Sequence, residues 1–179
     1  MTKGLWRNPT LWAIAVSLAA LVLYASFAVF GVQTLFYDTE VNEDFDASAP
    51  ASQEQEVRRA DSSAAGDPVV ISSGKFHAVA HPGTGDAIVY RLRDGSHVLR
   101  LENLDIFNGP ALYVYAVAAG DANDSETVLE ADSLNLGPLK GNKGNQTYGL
   151  PAEFDPDRHR SISIWCERFS VNFATAPLR

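Results

Sequence analysis

The sequence predicts an all-β fold, an antiparallel β-sandwich over residues 69–179, preceded by one N-terminal transmembrane helix and a flexible linker. Three observations lead there. From Val69 onward, short runs rich in Val, Ile, Leu, Tyr and Phe alternate with Gly, Pro, Asn and Asp, the pattern of strands and turns. No window in that region keeps a long 3.6-residue period, which argues against helices and for short paired strands. Ahead of it, the 26 residues from Leu11 to Phe36 carry no formal charge.

That charge-free stretch is the first element. At about 1.5 Å per residue, a helix needs about 20 apolar residues to cross about 30 Å of hydrocarbon. Residues 11–36 are therefore long enough to span a membrane. A cleaved secretory signal carries an apolar stretch of about 7 to 15 residues followed closely by small residues. The run from Leu18 to Phe30 sits inside a longer one, and Ala47-Ser-Ala49 lies well past it. An uncleaved signal anchor is the expectation.

Lys3 and Arg7 precede the span, whereas Asp38, Glu40, Glu43, Asp44, Asp46, Glu54 and Glu56 follow it with no Lys or Arg before Arg58. The positive-inside bias then keeps residues 1–10 cytoplasmic and makes the C-terminal domain extracytoplasmic, periplasmic or at the cell surface. Trp6, Trp12, Phe36 and Tyr37 fall where aromatic rings favour the membrane interface. Residues 37–68, acidic and rich in Ala, Ser and Gln, bury too little apolar surface to offset chain entropy, so they are expected to be a flexible tether.

Strands are expected at Val69–Val79, Asp86–Leu92, His97–Asn103, Ala111–Ala118, Gln146–Leu150 and Ser161–Phe173. Alternation puts Leu99 and Leu101 on a buried face and Arg100 and Glu102 on the other. Tyr113 and Tyr115 oppose Leu112, Val114 and Ala116, which suits a central strand. The Asn108-Gly-Pro110 turn before it combines a residue tolerant of positive φ with a fixed-φ proline.

Composition excludes some functions. A net charge of −8 with no basic stripe argues against nucleic acid. One cysteine forms no intramolecular disulfide. The glycine-rich segment Gly137–Asn145 lacks the Gly-Lys-Ser/Thr ending and the following helix of a phosphate loop, so Gly141, Asn142, Gly144 and Asn145 are read as turn or left-handed positions.

Cys166 is the residue type best suited to redox chemistry, because a thiolate forms or not according to its surroundings. A regular strand puts Arg168 on its face, where the guanidinium favours the thiolate; it puts Ile162 and Ile164 there too, and burial favours the inert thiol. Phe169, Val171 and Phe173 alternate in the opposite parity, which calls for a bulge or turn near Glu167.

Haem and copper receive no support from spacing. Met1 is the only methionine, no Cys-x-x-Cys-His is present, and none of His77, His81, His97 and His159 closely follows Cys166. Non-covalent haem on Cys166 or a histidine such as His81 stays open. Four strand residues separate His77 from His81 by about 13 Å, too far for one metal unless the chain bends between them. No metal site and no catalytic triad spacing emerge.

Gly74-Lys-Phe76, His81, Tyr90, Val98–Leu101, Asn108–Pro110, Asn135–Tyr148 and Ile162–Phe169 together make the chain resemble the DM-13 domain family from about Gly74 to Leu178. The resemblance implies a redox or electron-transfer domain on a membrane or secreted protein, centred on the single Cys166. It makes Lys140, Gly141, Asn142, Gly144, Gln146 and Tyr148, with Trp165 beside the cysteine, the specific motif residues, and His81 the histidine before a turn. The family commonly has an acidic residue after Asn-Gly-Pro, where this chain has Ala111. The partners expected are the membrane, through residues 11–36, and an extracytoplasmic protein or redox partner that the sequence does not identify. The competing class is a non-catalytic cell-envelope interaction or ligand-binding module in which Cys166 is structural.

Overall fold

The computed structural model describes residues 9–30, 37–45 and 68–179. Helix α1 spans Pro9–Phe30 and is long and apolar enough to cross a bilayer, a property shared by membrane anchors and signal sequences. It carries no acidic residue in its first turn and no basic residue in its last.

The remainder is mostly β, with two packed five-stranded sheets. In chain order the strands are β1 (Glu40–Asn42), β2 (Val69–Lys75), β3 (His77–Ala78), β4 (Gly83–Arg91), β5 (His97–Ile106), β6 (Leu112–Val117), β7 (Ser133–Pro138), β8 (Lys143–Leu150), β9 (Ser161–Cys166) and β10 (Val171–Pro177). A short helix, α2 (Ser125–Glu130), precedes β7. One sheet runs β1-β8-β5-β4-β2 and the other β3-β10-β9-β6-β7. Pairing is antiparallel except for β1 against β8, which is parallel.

Alternation built the core as expected: Val89, Leu99, Leu101 and Ile106 from one sheet meet Val114, Ala116, Ile162, Ile164 and Ala174 from the other, all essentially without solvent contact. Burying an aliphatic side chain of this size contributes about 1.5–3 kcal/mol. The expected Val69–Val79 strand divides at buried Phe76, with β2 in one sheet and β3 in the other. Ser161–Phe173 is a hairpin, β9 and β10 around the turn 167–170, so the change of parity near Glu167 is a reversal of the chain. β6 lies between β7 and β9, with Tyr113 and Tyr115 half-buried on its outer face.

Three features depart from expectation. Helix α2 is too short to show a period; Asp124 starts it by accepting from Thr127 N at 2.6 Å, and Val128 buries beside Trp165. β7 is irregular, half-buried and interrupted by a register shift against β6. The third is the most consequential: residues 37–45, assigned by composition to the tether, pack on the sandwich as a strap carrying β1. Arg100, expected at the surface, is consequently buried, donating to Glu43 O at 2.7 Å and Thr147 Oγ1 at 3.0 Å. Its guanidinium also lies over the Phe45 ring. The rest of the expected linker, residues 46–67, lies outside the described residues.

Candidate functional site

Strand register gathers the motif residues at one end of the sandwich. Gly83 pairs with Ile106, Asp105 with Lys143, Tyr113 with Pro138, and Leu112 with Cys166. The segments 79–82, 107–111, 139–142 and 167–170 therefore share that end. The parallel pairing of Glu40 with Lys143 brings the start of the strap there as well.

Cys166, the last residue of β9, is fully buried, and its Sγ donates to Pro110 O at 3.1 Å. Directly above lies the 107–111 loop. Ala111 within it has φ of 57°, a left-handed conformation unfavourable to a residue with a Cβ, and its carbonyl accepts from Glu167 N at 3.1 Å. The same loop, the 138–142 segment and Tyr37 and Thr39 of the strap line a cleft of about 370 Å³. The cysteine is thus separated from the cleft by one loop.

The glycine-rich segment turns out to be the seat of the strap. At Gly144 a Cβ would lie 2.1 Å from Val41 O, and φ is 97°; at Gly141 a Cβ would lie 2.5 Å from Thr39 O. Of the four residues expected in turn or left-handed conformations, Gly144 alone is left-handed, Gly141 and Asn142 lie in the loop between β7 and β8, and Asn145 is instead a regular member of β8. The asparagines serve through their amides instead. Asn142 Oδ1 accepts from Thr39 N at 2.7 Å, while its Nδ2 donates to Ile106 O and Asp38 Oδ1. Asn145 Oδ1 accepts from Asn103 N at 2.8 Å and its Nδ2 donates to Asn42 Oδ1.

Gln146, without solvent contact, closes the loop that crosses from β7 in one sheet to β8 in the other: Oε1 accepts from Lys140 N, Gly141 N and the Tyr148 hydroxyl, and Nε2 donates to Gly141 O at 2.5 Å. Burial, foremost, pushes the Tyr148 hydroxyl up to about 12, so it stays protonated at physiological pH. Lys140 Nζ lies over the Tyr148 ring and donates to Glu43 Oε1 at 2.6 Å and Thr147 O at 2.8 Å. Partial burial raises Glu43, but the bonds from Lys140 and Thr147 N outweigh it and hold the carboxyl below its ordinary range. At the strap's other end Lys143, foremost, and Asn142 lower Asp38. The motif residues clamp a segment of their own chain.

Other expected residues are dispersed. Arg168 is exposed on the 167–170 turn, because the strand that would have aimed it with Cys166 ends at Cys166. His81 is sandwiched by aromatic rings, centroids 5.0 Å from Phe107 and 4.0 Å from Phe173. His77 bonds Asp121 at 3.0 Å. Trp165 packs with Val117, Ala122 and Val128. Sequence reasoning missed the cluster in which Tyr115 Oη donates to Glu167 Oε1 at 2.9 Å and Asn135 Nδ2 donates to both. Burial and then the Glu167 carboxylate raise Tyr115 to about 12.

These residues do not fit a haem or a metal. Among the described residues no three His, Cys, Asp or Glu side chains converge, the Cys166 thiol is turned to a backbone carbonyl, and His81 is enclosed by rings.

A two-sheet module with a lone enclosed thiol behind a loop-walled cleft is the class defined by fold and site. A family model described as "Electron transfer DM13" matches residues 75–178. The chain belongs to that family. Neither the curated proteins nor the solved structures yielded a significant match.

Proposed function

We propose that this protein is a membrane-anchored, extracytoplasmic redox module in which Cys166 is the responsive group and the 107–111 loop its gate. The observation that carries this reading is the position of the thiol, held to Pro110 O and separated from the cleft by that one loop. Membership of an electron-transfer family supports the redox assignment. The apolar α1 and the absence of Lys and Arg between it and Arg58 support the anchor and its orientation.

The resting thiol is protected. When the loop opens, the S–H bond loses its proton to solvent, with Arg168 on the adjoining turn as the nearest cation in sequence. The sulfur lone pair then forms a bond to one oxygen of a peroxide or one sulfur of a partner disulfide. The O–O or S–S bond breaks, and the departing fragment keeps its electron pair.

A second reading has its own observation: Cys166 packs within the main core cluster, as a structural cysteine does in an interaction module. The two differ in how the thiol becomes accessible. The rate of modification by an uncharged aromatic disulfide should be followed in the full chain as denaturant is raised. A gate gives a rate nearly independent of denaturant, because a small opening exposes little surface. A rate with the denaturant slope of global unfolding would reject the gate and leave the structural reading.

A further inference from the structure

The domain's exposed aromatic side chains are not scattered. Among described residues 37–179 three large aromatics are exposed, Tyr37 at 73%, Phe107 at 50% and Phe169 at 61%. They stand on the strap entry, the β5–β6 loop and the β9–β10 turn, and strand register puts all three segments at the same end of the sandwich. The exposed aliphatic residues Val69, Val70 and Leu129 lie elsewhere, at the start of β2 and on α2. The opposite end carries the β4–β5 hairpin turn with Asp94, Gly95 and Ser96.

Chain length says what faces the aromatic end. From Phe30, the last residue of α1, to Tyr37 there are seven peptide steps, a reach of at most about 25 Å. Because the strap docks on β8, the domain does not stand off on the full length of chain between α1 and β2. Its aromatic end is the end tied to the helix. Aromatic rings favour the interfacial zone of a bilayer, where an apolar face and a polar surround are both satisfied.

Charge selects the kind of lipid surface. Asp38 and Asp105 both pair with Lys143 at this end, Lys140 pairs with Glu43, and Glu167 and Arg168 add one charge of each sign, so among the described residues the cations here are matched by acids and form no basic cluster for anionic headgroups.

We propose that this end of the sandwich rests on the bilayer, with Tyr37, Phe107 and Phe169 seated in the interface of neutral, zwitterionic lipid. The inference rests on the membrane-anchor reading of α1. The cleft-lining segments 107–112 and 138–142 belong to the same end, so this resting position brings the cleft close to the bilayer.

The test uses the full chain in phosphatidylcholine nanodiscs containing a lipid with a nitroxide headgroup, reading backbone amide relaxation. Amides of residues 81, 107, 108 and 168–170 should broaden several-fold more than those of Gly95 and Ser96, unchanged by added salt. A double substitution Phe107→Ser and Phe169→Ser should abolish that difference while the chain stays in the disc. Equal or absent broadening in a chain that resists carbonate extraction overturns the resting surface and spares the anchor. Release of the wild-type chain by carbonate overturns both.

Discussion

Replacing Gly144 by alanine is the sharpest perturbation of the strap. The added Cβ would lie 2.1 Å from Val41 O, a backbone atom that yields only if β1 leaves β8. The φ of 97° costs an L-residue about 1–2 kcal/mol by itself. Undocking then breaks the bonds Lys143 N to Thr39 O, Glu43 N to Asn145 O and Arg100 Nη2 to Glu43 O, each about 0.5–1.5 kcal/mol net. The total is about 2.5–6.5 kcal/mol. At about 4 °C per kcal/mol for a domain of this size, Tm falls by about 10 °C or more. Gly95→Ala is the control, because φ there is 87° but no atom lies within 4 Å of the added Cβ, leaving only the conformational cost. Thermal unfolding of the full chain in detergent, with amide exchange of Thr39 and Glu43, reads both effects. Equal losses for the two variants, with strap amides still protected in Gly144→Ala, would refute the docking.

Acid should release the strap. Glu43 and Asp38 both have folded-state pKa values below their ordinary 4.5 and 3.8, so their stabilisation is full above those values and is lost as pH falls through the lowered ones. Proteolysis of residues 37–45 should therefore accelerate below about pH 4, and Glu43→Gln should show fast cleavage already at neutral pH. His77 behaves oppositely: its hydrogen bond to Asp121, foremost, raises it above 6.5, so that pairing is complete below 6.5 and fades as pH rises through the raised value. Asp121→Asn should return the His77 NMR titration towards 6.5. Ala111→Gly should relieve the left-handed alanine and raise stability by about 1 kcal/mol, measured by denaturant midpoint.

Legibility in the sequence tracked the range of the interactions involved. The sheets were readable because alternation in segments such as Val98–Leu101 and Ile162–Ile164 reports a buried face through local periodicity. Parity after Cys166 called for a bulge or a turn near Glu167, and only the pairing of β9 with β10 makes it a reversal of the chain. The strap was not, since Glu40-Val-Asn42 is three residues in an acidic stretch, and its stability comes from Arg100, Lys140 and Asn142 far along the chain. Composition counted Asp38 and Glu43 as solvating charge when each is one half of an ion pair. For the same reason the glycines at 141 and 144 looked like turn residues, although at both positions the space above the backbone is taken by another strand. The Cys166 motif was visible, but whether Arg168 shared its face depended on the residue at which β9 stops.

The parallel pairing of β1 with β8 makes the strap a ligand of its own domain. Covalent attachment gives such a ligand an effective concentration on the order of millimolar. A separate peptide with the sequence of residues 37–45 would have to reach that range before it displaced its tethered counterpart. Any partner strand that occupies the β8 edge must either bind considerably more tightly or arrive when Glu43 and Asp38 have lost their charge. The segment leading out of α1 thus doubles as a competitive inhibitor of edge-to-edge association.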